Sequence, residues 1–330
     1  MDNLGYIVKR LGLAAVTLIL ISFAVFFIIQ LPPGDFVDTM VANMIRQGEV
    51  VTQEDIINLK SMYGLDRPFV VQYFGWFKGI LTGNWGTSYY YNQAVLVKIK
   101  ETLGTTLMIS FVTLVFTYII AVPIAIYSAK HQYSIGDYIV TFIGFVGLAV
   151  PHFLLAILLM YVSFRLTGKP LMGLFPEGGI TDWPSFLEFL KRLIIPVIVI
   201  STSGACGLIR RVRAQLLDEQ GKPYVLCLRA KGVTERAITF KYAMRQVLNP
   251  IVSGLGGMIS GIFNGSTITA IVLMLPTQGP ILLKALQTQD VYLSGGILLI
   301  SASLVVIGNL ISDILLAVLD PRIKLLEEIK

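Results

Sequence analysis

Residues able to do chemistry are few in this chain and do not cluster. Its 330 residues include two histidines, His131 and His152, and two cysteines, Cys206 and Cys227. His152 follows Pro151 inside an apolar run, a placement that suits a kinked helix with a satisfied polar side chain better than a metal ligand. No Gly-x-x-x-x-Gly-Lys-Ser/Thr loop is present to cradle nucleotide phosphates, nor a His-Glu-x-x-His helix, a Cys-x-x-Cys pair or a nucleophile elbow. Asp313 lies about six residues, roughly 9 Å, inside the end of the last apolar run, close enough to the interface to pair with a basic residue. These residues point neither to a membrane-embedded enzyme nor to a bound metal or cofactor.

The patterned residues lie instead in a basic stretch from Arg210 to Arg245, which holds nine Lys and Arg. Gly221 and Pro223 punctuate it, and proline favours the first position of a helix. The pattern predicts a short helix from Pro223 to Lys231 that breaks at Gly232. A second helix is expected after Thr234, with Glu235 in its first turn, where a carboxylate suits the helix dipole. On that helix Ala237, Phe240, Met244 and Val247 share one face. Two such amphipathic helices fit an interfacial loop held by anionic membrane lipid, or a docking site for a partner protein.

The elements around that stretch must lie in a membrane. Charged residues make up 14% and hydrophobic residues 55% of the chain, with a mean hydropathy of +0.75. A water-soluble core of this size cannot hide so much apolar surface, which excludes a cytosolic enzyme, a secreted disulfide scaffold and a disordered chain. The net charge of +6 comes from basic residues between apolar runs, so it follows the positive-inside rule and not a groove for nucleic acid.

Six runs approach or exceed the length needed to cross a bilayer: 11–31, 102–127, 138–164, 193–209, 247–275 and 294–319. The first is too long for a signal-peptide core and is read as a retained helix. Leaving out the long loop 32–101, one side of the membrane receives 15 Lys and Arg and the other 5, which places both termini in the cytoplasm and that loop outside. The loop carries turn signals at Gly64-Leu65-Asp66-Arg67-Pro68 and Gly83-Asn84-Trp85-Gly86, the mark of a small ordered cap. Glycines at 254, 256, 257, 261 and 265 fit a close helix–helix interface or a pore lining that changes shape.

Ordered motifs along nearly the whole chain carry a resemblance. They are Tyr6-Ile7 and Lys9-Arg10-Leu11, Pro33-Gly34-Asp35, Tyr63 to Pro68, Gln72-Tyr73, Trp76, Gly83-Asn84-Trp85-Gly86-Thr87-Ser88 and Thr105-Thr106-Leu107. Pro151 with Phe153, Tyr224-Val225, Arg229-Ala230-Lys231-Gly232, Asp313 and Asp320-Pro321-Arg322-Ile323 complete the set. In these the chain resembles the permease subunits of bacterial ABC importers of the oligopeptide, dipeptide and nickel class. The resemblance implies an all-α polytopic protein of six transmembrane helices, the type I ABC importer permease fold, with a large external loop after the first helix. Its expected parts are 1–31, the external domain 32–101, a core 102–319 containing a coupling loop 210–246, and a cytoplasmic tail 320–330.

It also implies the partners: a second homologous permease, two cytoplasmic ATPase subunits that hold the ATP and magnesium, and an external substrate-binding protein. The coupling loop would seat on an ATPase through Tyr224, Val225, Arg229, Ala230, Lys231, Gly232, Glu235 and Arg236. His152, Asn264, Thr267, Thr269 and Gln278 are candidates for the translocation path. Three departures stand out. Leu226-Cys227-Leu228 replaces the family's usual Glu/Arg-Ala/Thr-Ala, and Tyr242 and Gln246 stand where histidine and asparagine are common. Ala270 to Leu275 lacks the glutamate common in peptide-type members and leads to Pro276-Thr277-Gln278-Gly279-Pro280, a form similar to oligosaccharide importers. With Trp85, Tyr89, Tyr90, Tyr91, Asn92, Gln287 and Gln289 in the external half, this favours an oligosaccharide over a peptide, dipeptide or nickel cargo.

Overall fold

The computed structural model describes residues 3–169, 171–258 and 267–319. The described residues are helical apart from loops and one two-residue antiparallel ladder, β1 (Thr87–Ser88) with β2 (Gln93–Ala94). Helix α1 (Asn3–Ile29) is followed by α2 (Phe36–Arg46), α3 (Gln53–Met62) and α4 (Phe69–Leu81). After the ladder come α5 (Val95–Lys130), α6 (Ile135–Ala149), α7 (His152–Thr167) and α8 (Trp183–Gln220). The remainder is α9 (Pro223–Ala230), α10 (Glu235–Ala237), a π-helical turn (Ile238–Ala243), α11 (Met244–Ser253), α12 (Thr267–Val272), α13 (Gln278–Gln287) and α14 (Val291–Leu319).

Four of these helices are long and apolar enough to cross a membrane: Arg10–Ile29 of α1, α5, α8 and Val291–Leu316 of α14. A fifth span exists if α6 and α7 are counted as one, although the two helices meet at 107°. The sequence reading of six spans is met in part, with four such helices among the described residues, or five with the bent pair. The run 138–164 is broken because Pro151 forces Val150 out of helical geometry, and Val150 adopts an extended ψ of 123°. The run 193–209 is the middle of a 38-residue helix, about 57 Å long at 1.5 Å per residue. Pro196 lies inside it without ending it, since unwinding in lipid would expose more backbone than the proline disrupts. The run 247–275 is described only as α11, residues 254–258 and α12.

Two compact units emerge. Residues 11–106 with 277–304 form one. Its core joins Phe26, Tyr73, Trp76 and Leu299, and a second cluster joins Val95, Ile99, Ala285, Leu293 and Ile297. Reciprocal caps start α2 (Asp35 with Asp38) and α3 (Thr52 with Asp55), and Lys60 bridges Asp35 and Asp38 at 2.9 Å each. Asp290 is fully buried there. It accepts from Ser88 Oγ at 2.5 Å, from the Tyr90 amide at 3.1 Å and from the Leu293 amide at 3.1 Å, tying the ladder to the start of α14.

The other unit comprises 1–10, 107–276 and 305–330. Alanines at 121, 125 and 129, four apart on α5, present a smooth stripe against Leu208, Val212 and Leu216 of α8 and Ala243, Val247 and Ile251. A further cluster gathers Ile109, Ala156, Leu193, Val197, Val199 and Leu273.

Candidate functional site

The 210–246 segment is ordered much as its punctuation suggests, with one difference at each end. It begins as a continuation of α8, which carries Arg210, Arg211 and Arg213 as helical residues, and turns only at Gly221. Pro223 then opens α9, and Glu219 at the end of α8 serves both sides of the turn: Lys222 pairs with it and Tyr224 Oη donates to it at 2.8 Å. Burial, then that hydrogen bond, pushes the Tyr224 phenol up to about 12. Val225 is fully buried, whereas Arg229, Ala230 and Lys231 remain solvent-accessible.

Gly232 adopts φ +74°, the left-handed conformation that costs other residues strain. Directly across this break Arg229 Nε meets Glu235 Oε1 at 2.6 Å and Arg229 Nη2 meets Oε2 at 3.2 Å. The pairing lowers the Glu235 carboxyl and raises the Arg229 guanidinium from their ordinary values. Thr234 caps the returning helix, and Arg236 is exposed beside Glu235.

Beyond that point the expected face is displaced. The π-helical turn accommodates one extra residue, so Ile238, Thr239 and Ala243 are buried in place of Phe240, which is 53% exposed with Lys130 Nζ 4.9 Å from its ring centre. A 3.6-residue period misses such a turn by construction.

The second feature is a cavity of about 440 Å³ within residues 107–276. The break between α6 and α7 places His152 at its wall, and His152 Nε2 lies 2.9 Å from Ser203 Oγ on α8. The histidine is thus both hydrogen-bonded and cavity-lining. Ser203, Gly204, Gly207 and Arg211 form one face of α8, spaced so that small residues and a cation look into the same space, joined there by Thr117 of α5 and by Ser253, Gly254 and Gly257. The sequence reading passed over Arg211, Ser203 and Thr117, although the Ser-Gly-x-x-Gly-x-x-x-Arg spacing on one helical face was readable.

The described glycines of this group fall in two settings. Gly254 and Gly257 line the cavity, while a Cβ on Gly256 would collide with Asn309 of α14. Gly261, Gly265 and the candidate Asn264 lie outside the described residues.

Of the other path candidates, none lines this cavity. Thr269 is buried within α12, Thr267 is half-buried at its start, and Gln278 belongs to the other compact unit. Gln278 opens α13 with its amide 3% exposed and without a hydrogen bond among the described residues, while its backbone amide donates to Thr106 Oγ1 at 3.0 Å. Asp313 behaves as its depth implied, pairing with Arg10 at 2.9 Å. Among the described residues no three His, Cys, Asp or Glu side chains gather in a way that could hold a metal ion.

Two of the tyrosines at 89–91 make close ring contacts. Tyr89 sits among Phe36, Tyr63 and Tyr292, with ring centres 4.9–5.3 Å away, and Tyr91 lies under Lys98. Tyr89 thus meets edge-on and tilted rings, while Tyr90 is 45% exposed.

The sequence profile described as "Binding-protein-dependent transport system inner membrane component" matches residues 121–325, and the corresponding N-terminal profile matches residues 3–110. The chain is 34% identical to the oligopeptide transport system permease protein AppB of Bacillus subtilis over 97% of this chain and 99% of that protein. It is 30% identical to the dipeptide transport system permease protein DppB of Lactococcus lactis, and 27% identical to that of Escherichia coli, with the same coverage of both chains. Profile, length and helices agree: the chain is a multi-pass inner-membrane component of the binding-protein-dependent transport family.

Proposed function

We propose that this chain is the permease subunit of an ATP-driven importer of short peptides. It contributes half of the translocation path, pairs with a second homologous permease, and receives cargo from an external binding protein. It does no catalysis; ATP and magnesium belong to two partner ATPases. The oligopeptide and dipeptide permeases it resembles support a peptide cargo over the oligosaccharide suggested by the Pro276 to Pro280 turn.

The observation that carries the coupling reading is the pair of short helices hinged at Gly232 and clamped by Arg229 and Glu235. A rigid, exposed knuckle of this kind suits transfer of motion from an ATPase, and a passive channel has no use for it. Tyr224, Val225, Ala230, Lys231 and Arg236 complete the proposed docking element, Val225 as its buried root. In this reading both termini and the 210–246 segment are cytoplasmic and residues 32–101 form the external domain. Reconstitution of the chain with its partner permease, ATPases and binding protein tests the proposal: ATP-dependent uptake of labelled di- to pentapeptides is expected. Uptake of oligosaccharides alone, or peptide flux without ATP, would refute it.

A further inference from the structure

The broken span and the cavity beside it carry a more specific assignment. The space of about 440 Å³ falls within the usual range for a small-molecule site. Its walls are largely apolar or small: Leu114, Leu148, Ile200, Gly204, Gly207 and Met258. Such a lining accepts varied side chains without reading them. The polar groups are fewer, and among the described residues none of those lining it is acidic.

Arg211 supplies the cation. Among the described residues its hydrogen bond is a long contact, 3.4 Å, from Nε to the carbonyl of Gly207 on its own helix. Its neighbours differ, since Arg213 is committed to Asp137 and Arg210 lies over the ring of Phe145. The guanidinium of Arg211 therefore has strong donors left over at the cavity wall.

A second feature is the break between α6 and α7. His152 is the first residue of α7, whose preceding Pro151 gives no side-chain cap. The amides of His152 and Phe153 begin a 16-residue helix with partial positive charge, at the same break where the last carbonyls of α6 carry partial negative charge. Transporters place substrate sites where a span is interrupted beside a cavity.

We infer that this cavity, beside the break between α6 and α7, is a passing site for the peptide's C-terminal carboxylate, with Arg211 as the anchoring cation. The inference rests on the peptide reading above. The carboxylate is the negative charge common to every linear peptide, so one fixed cation serves all cargo sequences while the apolar wall tolerates their side chains.

The test uses the complete importer in proteoliposomes, in a background with Cys206 and Cys227 replaced by Ser and a reporter Gly207→Cys, where an added Cβ meets no atom. Without the binding protein, a millimolar free-acid tripeptide should slow maleimide labelling of the reporter about tenfold, and its C-terminal amide should not. Arg211→Gln should abolish the protection and Arg211→Lys should keep most of it. With the binding protein present, Arg211→Gln without the reporter should cut tripeptide uptake about tenfold yet leave ATP hydrolysis within about twofold. Equal protection by acid and amide, no protection by the acid, or protection surviving Arg211→Gln would overturn the inference while peptide uptake still supports the importer reading. Absence of peptide uptake by the unsubstituted importer would overturn both.

Discussion

Arg213 grips Asp137 with two nitrogens, Nε 2.8 Å from Oδ1 and Nη2 2.7 Å from Oδ2. Ser128 donates to the same carboxylate and the Tyr133 amide donates to it at 3.0 Å, so the end of α5, the following turn, α6 and α8 are tied at one point. The Asp137 side chain is 3% exposed, which makes this pair the costliest to break in the described residues that carry it. Arg213→Met strands a buried carboxylate and should destabilise the purified protein by about 3 kcal/mol, read as a lowered unfolding midpoint in detergent. Adding Asp137→Asn should restore much of the loss, since no buried charge is then left unpaired. A double variant no more stable than the single one would show that the carboxylate is not charged and buried as described.

Gly232 makes a different kind of demand. A Cβ there meets nothing within 4 Å, so only the backbone conformation, φ +74°, restricts the residue. Gly232→Val should cost about 1–2 kcal/mol of local strain and weaken association with the ATPase pair, whereas Gly232→Asn should be tolerated. Co-purification of the ATPases with each variant checks this. Retention of fully coupled ATPases by Gly232→Val would detach the hinge from coupling.

Tyr224 gives a prediction in pH. Its phenol is held neutral mainly by burial and then by the hydrogen bond it donates to Glu219, and it is pushed up to about 12. Because the folded protein holds this proton more tightly than the unfolded chain, the contribution is complete below the ordinary tyrosine value of 10.0 and is lost as pH rises toward about 12. The tyrosinate absorbance of the unsubstituted protein minus that of Tyr224→Phe should titrate near the upper value. A difference curve centred on the ordinary value would show the hydroxyl to be free.

Local punctuation made several of these features readable before any coordinates. Gly232, Thr234 and Glu235 mark a break and a restart within four residues, and all three act within one helical turn, where sequence spacing is spatial spacing. The depth of Asp313 implied a basic partner, found in Arg10. What spacing cannot encode is a pairing between distant segments: Arg213 and Asp137 are 76 residues apart, and neither is unusual in its own neighbourhood. The cavity was half legible. Pro151 announced a kink, but the 107° bend that turns His152 toward Ser203 depends on the packing of α6 and α7 against α8. Hydropathy also misjudged α8, because the apolar window ends where the arginines begin although the helix continues to Gln220.

The orientation of the chain can be read from two sites that differ in reach. Val50 lies in the 32–101 segment and is 93% exposed; Cys227 is an exposed thiol on α9, while Cys206 is buried. If the excess of Lys and Arg marks the inner side, a membrane-impermeant maleimide on intact cells should label a Val50→Cys variant and leave Cys227 unmodified. Opening the inner membrane should then expose Cys227, with the slower reaction of buried Cys206 as an internal control. The two sites flank an odd number of spans if the bent pair α6–α7 crosses once, so they must respond oppositely. Labelling of both from outside would mean that the bent pair enters and leaves by the same face. Labelling of Cys227 alone would invert the protein and put the Gly232 hinge beyond the reach of any cytoplasmic ATPase.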